Sequence, residues 1–205
     1  MDNQEKEGKK RRDDRMLEVG DLKYMNIPAS YWEAQLVDNY DNKIVAAVNN
    51  VLETLTAHTV VVICGKELSG RTSLAALYLM EAWRKHCSCY MVNNEYLWNE
   101  RDTEFSEGLT VLERCRGVGV LVIDDICTAG NRNEYQINVL RTVLRHRTDW
   151  KKPTILIFGV ETEKQIIDLL PVDLVGMIKN SCQGEIYELA TDENLSTIKS
   201  KEESK

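Results

Sequence analysis

The chain has 205 residues, a formal net charge of -7 and a pI of about 5.1. That length suits one domain with tails, and 43% apolar residues are enough for a buried core, which excludes a disordered chain. The acidic balance excludes a wholly electrostatic nucleic-acid binder, so any DNA contact must come from a local basic patch.

In chain order, residues 1–22 mix both charge signs with almost no apolar content and are expected to form a mobile arm. The folded body is expected over residues 23–190, and 191–205 as a fraying tail. Ile44–Leu55 (IVAAVNNVLETL) has helical spacing, and Val60–Cys64 (VVVIC) is the short apolar run of a strand covered on both faces. Arg71–His86 reads as a helix, Cys89–Val92 as a strand, and further helices are predicted around Tyr96 and over Glu107–Arg114. Val118–Ile123 (VGVLVI) is the next buried strand. A helix follows over Glu134–Arg147, then a strand over Thr154–Phe158 (TILIF) introduced by Pro153. A short helix over Lys164–Leu170 and a strand over Glu185–Leu189 close the pattern. Alternating strands and helices predict an α/β fold with a central parallel sheet and helices on both sides.

No apolar run approaches the roughly 20 residues needed to span a bilayer. Met1–Arg15 lacks the apolar segment of a secretory signal, so a cytoplasmic setting is expected. Cys64 and Cys127 lie beside apolar runs, where a thiol behaves as a small hydrophobe. Cys87 and Cys89 with His86 offer half a metal site, but no second close Cys/His pair completes it. Reduced structural thiols are therefore expected.

Gly65-Lys66-Glu67-Leu68-Ser69-Gly70-Arg71-Thr72 fits the phosphate-loop pattern G-x-x-x-x-G-K-[ST], except that arginine replaces lysine. A buried strand enters it and an amphipathic helix leaves it, as that chemistry requires. The glycines permit a tight turn whose amides point at phosphate oxygens, and the helix N-terminus adds partial positive charge. Gly65 to Thr72, with Ser73, form the candidate nucleotide site, and Thr72 offers a hydroxyl to Mg²⁺. Arg71 keeps the cation needed at the β- and γ-phosphates, in a planar and bulkier form. Lys66 is expected to face solvent. The bland alternative is a strand-to-helix turn without a ligand.

Val120 to Ile123 run directly into Asp124-Asp125, at the end of a buried strand where open α/β sheets bind ligands. Asp124 is the candidate Mg²⁺ ligand, acting through water, and Asp125 the candidate group that orients or deprotonates the attacking water. A turn or helix N-cap is the ordinary alternative for such a pair.

These motifs, with Ile27-Pro28-Ala29-Ser30-Tyr31-Trp32 before them and Ile137–Ile157 (INVLRTVLRHRTDWKKPTILI) after them, resemble the DnaC/IstB family of AAA+ P-loop ATPases. The resemblance covers Ile27 to Ile178. It implies ATP or ADP and Mg²⁺ as cofactors, self-association, and a phage or mobile-element helicase loader acting in DNA replication. Its partners would then be a replicative helicase and single-stranded DNA. An IstB-type transposition helper on duplex DNA, with a transposase as partner, and a non-hydrolysing AAA+ interaction protein stay open as alternatives.

Three departures from the family point to a slow ATPase or a binding switch. Arg71 replaces the lysine; Phe158-Gly159-Val160-Glu161-Thr162 lacks the asparagine that senses the γ-phosphate; Val172–Cys182 offers only Lys179 where an arginine finger is expected. Such a finger is worth about 10³ to 10⁵ in rate. The 26 residues before Ile27 are expected to be too few for the helicase-binding domain of the larger loaders.

Arg141, Arg145, Arg147, Lys151 and Lys152, beside His146, form the densest folded basic cluster, a candidate DNA or subunit contact with a solvated helix face as its alternative. Lys9-Lys10-Arg11-Arg12 reads as a solvated arm, since Asp13 and Asp14 follow at once. Tyr31 and Trp32 are expected to anchor the N-terminal segment rather than stack on adenine. Tyr96 and Trp98, beside Glu95, are expected to be core aromatics, and His58 and His146 receive no role.

Overall fold

The computed structural model describes residues 16–35, 42–57, 59–98, 110–126, 134–182 and 186–189. It opens with a short helix, α1 (Val19–Tyr24), and a 3-10 turn at Ala29–Tyr31. Leu22, Met25 and Ile27 are buried, so packing begins inside the stretch expected to be an arm, and the boundary after residue 22 falls within α1. The one helix expected over 44–55 is two, α2 (Asn42–Asn49) and α3 (Val51–Ala57), broken at Asn50.

The body then alternates as the pattern predicts: β1 (Val60–Gly65), α4 (Arg71–Arg84), β2 (Cys89–Asn93), α5 (Asn94–Trp98) and α6 (Val111–Gly117). It continues through β3 (Val120–Ile126), α7 (Glu134–Asp149), β4 (Thr154–Phe158), α8 (Glu163–Leu169), α9 (Val172–Cys182) and β5 (Ile186–Leu189). Capping boxes start two of the short helices, from Thr110 with Glu113 and from Thr162 with Gln165. α1 and α9 are the two helices that periodicity does not announce; each is interrupted by a glycine, Gly20 and Gly176. The expected C-terminal tail at 191–205 lies outside the described residues, as do the arm before Met16, His58 and Cys127.

The five strands form one parallel sheet in the order β2-β3-β4-β1-β5. Side chains alternate across it and both faces are covered, which explains why the strands read as continuous apolar runs. Val61 and Ile63 join α2, α3 and α4 in one core cluster. Val60, Val62 and Cys64 join residues of α6, α7, α8 and α9 in the other. The edge strand β2 is covered by the N-terminal segment: Met91 donates its amide to Met25 O (2.8 Å), and Asn26 Nδ2 donates back to Met91 O (2.8 Å). Among the described residues no helix is long and apolar enough to cross a membrane.

Candidate functional site

The carboxyl ends of β1, β3 and β4 meet where the strand order reverses, and the loop from β1 into α4 lies there. Two glycines shape that loop. Gly65 has φ +150°, and a Cβ on it would stand 2.3 Å from Leu189 O and 2.9 Å from Ser69 Oγ. Gly70 is left-handed (φ 84°) at the N-cap of α4, with no side-chain cap, so the first-turn amides of the helix open into the loop. Lys66, Glu67 and Leu68 form its exposed tip, Lys66 facing solvent as expected, and Leu68 carries φ 63° with 84% exposure. Ser69 is buried, and its hydroxyl has no partner among the described residues. Ser73 is half-buried in the first turn of α4.

Thr72 Oγ1 donates to Asp124 Oδ2 at 3.1 Å, which joins the phosphate loop to the end of β3. Asp125 N–H donates to Asp124 Oδ1 (2.7 Å), and the register of β3 on β4 shifts between Ile123 and Ile126. Asp125 sits in that irregularity with φ 60°, a conformation that Asp tolerates better than longer side chains. The bulge turns the second carboxylate away from the ladder. Burial pushes the Asp124 carboxyl up from its ordinary value, outweighing the hydrogen bonds from Asp125 and Thr72 and the charge of Arg71 that act downward.

Arg71 Nη1 donates to Gly65 O (2.8 Å) and Phe158 O (2.6 Å), pinning the guanidinium across the ends of β1 and β4. A cleft of about 180 Å³ is lined by Arg71, Thr72, Asn93, Asp124, Asp125, Ile157 and Gly159. Its size is below the roughly 300–1,000 Å³ of whole-ligand pockets and suits phosphate groups with a hydrated cation. Sequence reading missed Asn93. It pairs in register with Asp124 across β2 and β3, and its Oδ1 accepts the Glu95 amide (2.8 Å). A lone asparagine after a strand carries no signal of its own.

The donor set fits a nucleoside triphosphate with Mg²⁺. The buried Ser69 hydroxyl lacks a partner inside a loop that a Cβ at Gly65 would fill, and a hydroxyl and carboxylate stand together where a hard cation takes oxygen ligands.

No protein-family model and no curated protein matches the chain. Among solved structures, that of DnaI superposes with a TM-score of 0.60 at 20% identity, over 81% of this chain and 95% of that one. The DnaC helicase loader matches at 0.60 and 18%, over 80% of this chain and 100% of that one. The replication initiator DnaA bound to AMPPCP and single-stranded DNA matches at 0.62 and 17%, over 81% of this chain. This chain spans about half (51%) of that DnaA chain.

The fold is that of the DnaC-like AAA+ P-loop domains. Within this AAA+ fold β4 ends in Phe158 and Gly159, so no side-chain amide projects into the cleft from that strand. Asn93, on β2, is the asparagine that lines it.

The basic cluster divides. Arg147 is a correction: it is fully buried and presents nothing to a partner. Its guanidinium donates to Thr154 Oγ1 (2.8 Å), Cys115 O (2.8 Å), Val118 O (2.9 Å), Gly119 O (3.1 Å) and Pro153 O (2.6 Å). Five donors meet five acceptors, so it rivets α7 to the turn before β3 and to the start of β4. Burial lowers its pKa to about 10. Arg141 pairs with Asp173 of α9 (2.7 Å) and also reaches Asn138. Lys152 Nζ caps the last carbonyls of α6, Arg116 O (2.9 Å) and Gly117 O (3.0 Å). Arg145 and Lys151 are exposed and have no ion pair among the described residues.

Trp32 Nε1 donates to Ile27 O (2.8 Å), and Tyr31 and Trp32 pack on the first core cluster, the anchoring role. Tyr96 is 64% exposed and is no core aromatic, while the Trp98 side chain lies outside the described residues. Cys64, Cys89 and Cys115 are buried free thiols, each pushed up by burial, Cys64 and Cys115 to about 12. Among the described residues no three ligating groups stand together to hold a metal.

Proposed function

We propose that the chain is a DnaC-like helicase loader in DNA replication: it binds ATP·Mg²⁺, self-assembles and delivers a replicative helicase to single-stranded DNA. The Thr72–Asp124 hydrogen bond beneath the phosphate loop carries this reading, because it holds a hydroxyl and a carboxylate ready as a Mg²⁺ platform. The fold shared with a DnaC helicase loader and with DnaA supports the replication role.

In this reading the amides of Gly65 to Gly70, the Ser69 hydroxyl and the first turn of α4, with Arg71 to Ser73, surround the phosphates. Thr72 and Asp124 would hold Mg²⁺, which would supply neutralisation of the phosphate charge. Asp125 would orient the attacking water, and Asn93, which also lines the cleft, would orient Asp125 or that water. With Nη1 held by two carbonyls, Arg71 has Nη2 and Nε left to meet a phosphate, and this restraint is expected to slow hydrolysis.

Recovery of a replicative helicase from host lysate by the tagged chain with ATP·Mg²⁺, and less of it with EDTA, is the expected result. Recovery of a transposase without helicase would replace this reading by the transposition helper. The pinned Arg71 favours one second reading, a switch that binds nucleotide without turnover. Arg71→Lys shortens the group to a mobile point charge and is expected to raise single-turnover ATP hydrolysis by about tenfold, some 1.4 kcal/mol of barrier. Nucleotide binding with no hydrolysis in either form would establish the switch.

A further inference from the structure

The amino-terminal edge of the sheet, where the strands begin at the end opposite the cleft, has the chemistry of a second site. Trp150, just past α7, is 70% exposed, and its ring stands against His146 with centroids 6.4 Å apart. Indole is seldom left in water without a purpose, because it carries the largest apolar area of any side chain. Arg145, five positions earlier on α7, and Lys151, the next residue, are both exposed, and Lys152 lays its ammonium on the end of α6 beside Arg116. Arg116 leaves its Nε buried and unpartnered.

None of these four cations has an ion pair among the described residues. Other arginines of the fold are paired: Arg141 with Asp173, and Arg84 with Glu81. A helix C-terminus attracts basic side chains through its dipole, and that accounts for Lys152. It does not account for Arg145, one turn earlier and pointing to solvent, nor for Lys151 beyond the helix with φ 50°. Asp149 is the opposing charge on this edge, and it is exposed. In a chain of net charge -7, unpaired cations gathered beside an exposed indole mark a place kept for an anion with an aromatic face.

We propose that this edge binds single-stranded nucleic acid, with one base stacked on Trp150 and flanking phosphates on Arg145 and Lys151. It deepens the DNA-contact part of the loader reading and rests on it, but not on the nucleotide site. The two sites stand at opposite ends of β4, which runs from Pro153 and Thr154 at this edge to Phe158 and Gly159 at the cleft, about 16 Å at 3.3 Å per residue. A stacked base requires an unpaired strand, so the site selects single strand over duplex.

The test is fluorescence anisotropy of labelled 20-mer oligothymidine and of a 20-base-pair duplex, at several salt concentrations, with wild-type full chain, Trp150→Ala and Arg145→Glu/Lys151→Glu. The expected result is tighter binding of the single strand, weakened about 5- to 150-fold by Trp150→Ala, the range of one lost stack. The charge variant should flatten the salt dependence by about two phosphate contacts. Single-strand binding indifferent to both variants, equal binding of duplex, or no binding at all overturns the proposal. All these residues are exposed, so each variant's thermal shift with ATP·Mg²⁺ serves as a control. An unchanged nucleotide shift with lost oligonucleotide binding isolates this edge, and a lost nucleotide shift in the wild type indicts the cleft alone.

Discussion

As a proposed Mg²⁺ ligand, Asp124 would hold two roles in conflict. Burial raises its pKa from the ordinary 3.8, so the ligand-free fold disfavours the charge that a cation needs. A carboxyl raised in this way stabilises the fold below its unfolded value and loses that contribution as pH rises through the folded value. At neutral pH the ionised group is therefore a cost to the empty protein. Asp124→Asn is expected to raise the melting temperature of the ligand-free chain at pH 7, and the gain should shrink as pH falls toward 3.8. The same variant should lose the stabilisation that ATP·Mg²⁺ gives the wild type. Thermal melts across pH check both halves; a variant less stable when empty would show that Asp124 serves the fold rather than a ligand. Leu68 and Asp125 belong to the same economy of strain. Both hold positive φ without being glycine, Leu68 at the exposed tip of the loop and Asp125 on the lining of the cleft, whereas His86 and Lys151 hold it just beyond the ends of helices.

At the scale of elements, Arg147 joins three of them. Arg147→Met would leave four carbonyls and a hydroxyl without their donor, and is expected to cost about 3 kcal/mol or more in chemical denaturation. Arg147→Lys should recover only part, since an ammonium has three donors for five acceptors. A loss below about 1 kcal/mol for the methionine variant would contradict the rivet. This residue also shows what a sequence conceals. An arginine at the end of a polar helix reads as a solvated cation, and its acceptors at Cys115, Val118 and Gly119 lie some 30 positions away. The strands were legible because burial on both faces leaves uninterrupted runs such as Val60 to Cys64 and Thr154 to Phe158. α9 was not, because Gly176 and a single cation blur an apolar face that only packing on β1 defines. The phosphate loop and acid pair were legible as local strings. Asn93 reaches the cleft only through the pairing of β2 with β3, which no string records.

For the whole molecule, the parallel sheet gives the chain two chemically different ends. At the carboxyl end, loop, carboxylates and the pinned Arg71 gather around a phosphate-sized cleft. At the other, Trp150 and unpaired cations face solvent. β4 spans both, from Pro153 and Thr154, which accept from Arg147, to Phe158, whose carbonyl accepts from Arg71. The N-terminal segment closes the β2 edge.

The most direct test of the account is calorimetric titration of the full chain with a non-hydrolysable ATP analogue, with and without Mg²⁺, beside Thr72→Ala. Saturable binding that requires Mg²⁺ and weakens at least about tenfold in the variant, a loss of 1.4 kcal/mol or more, is the predicted result. Absence of binding, or binding indifferent to both Mg²⁺ and Thr72→Ala, would contradict the assignment of this cleft as a nucleotide site.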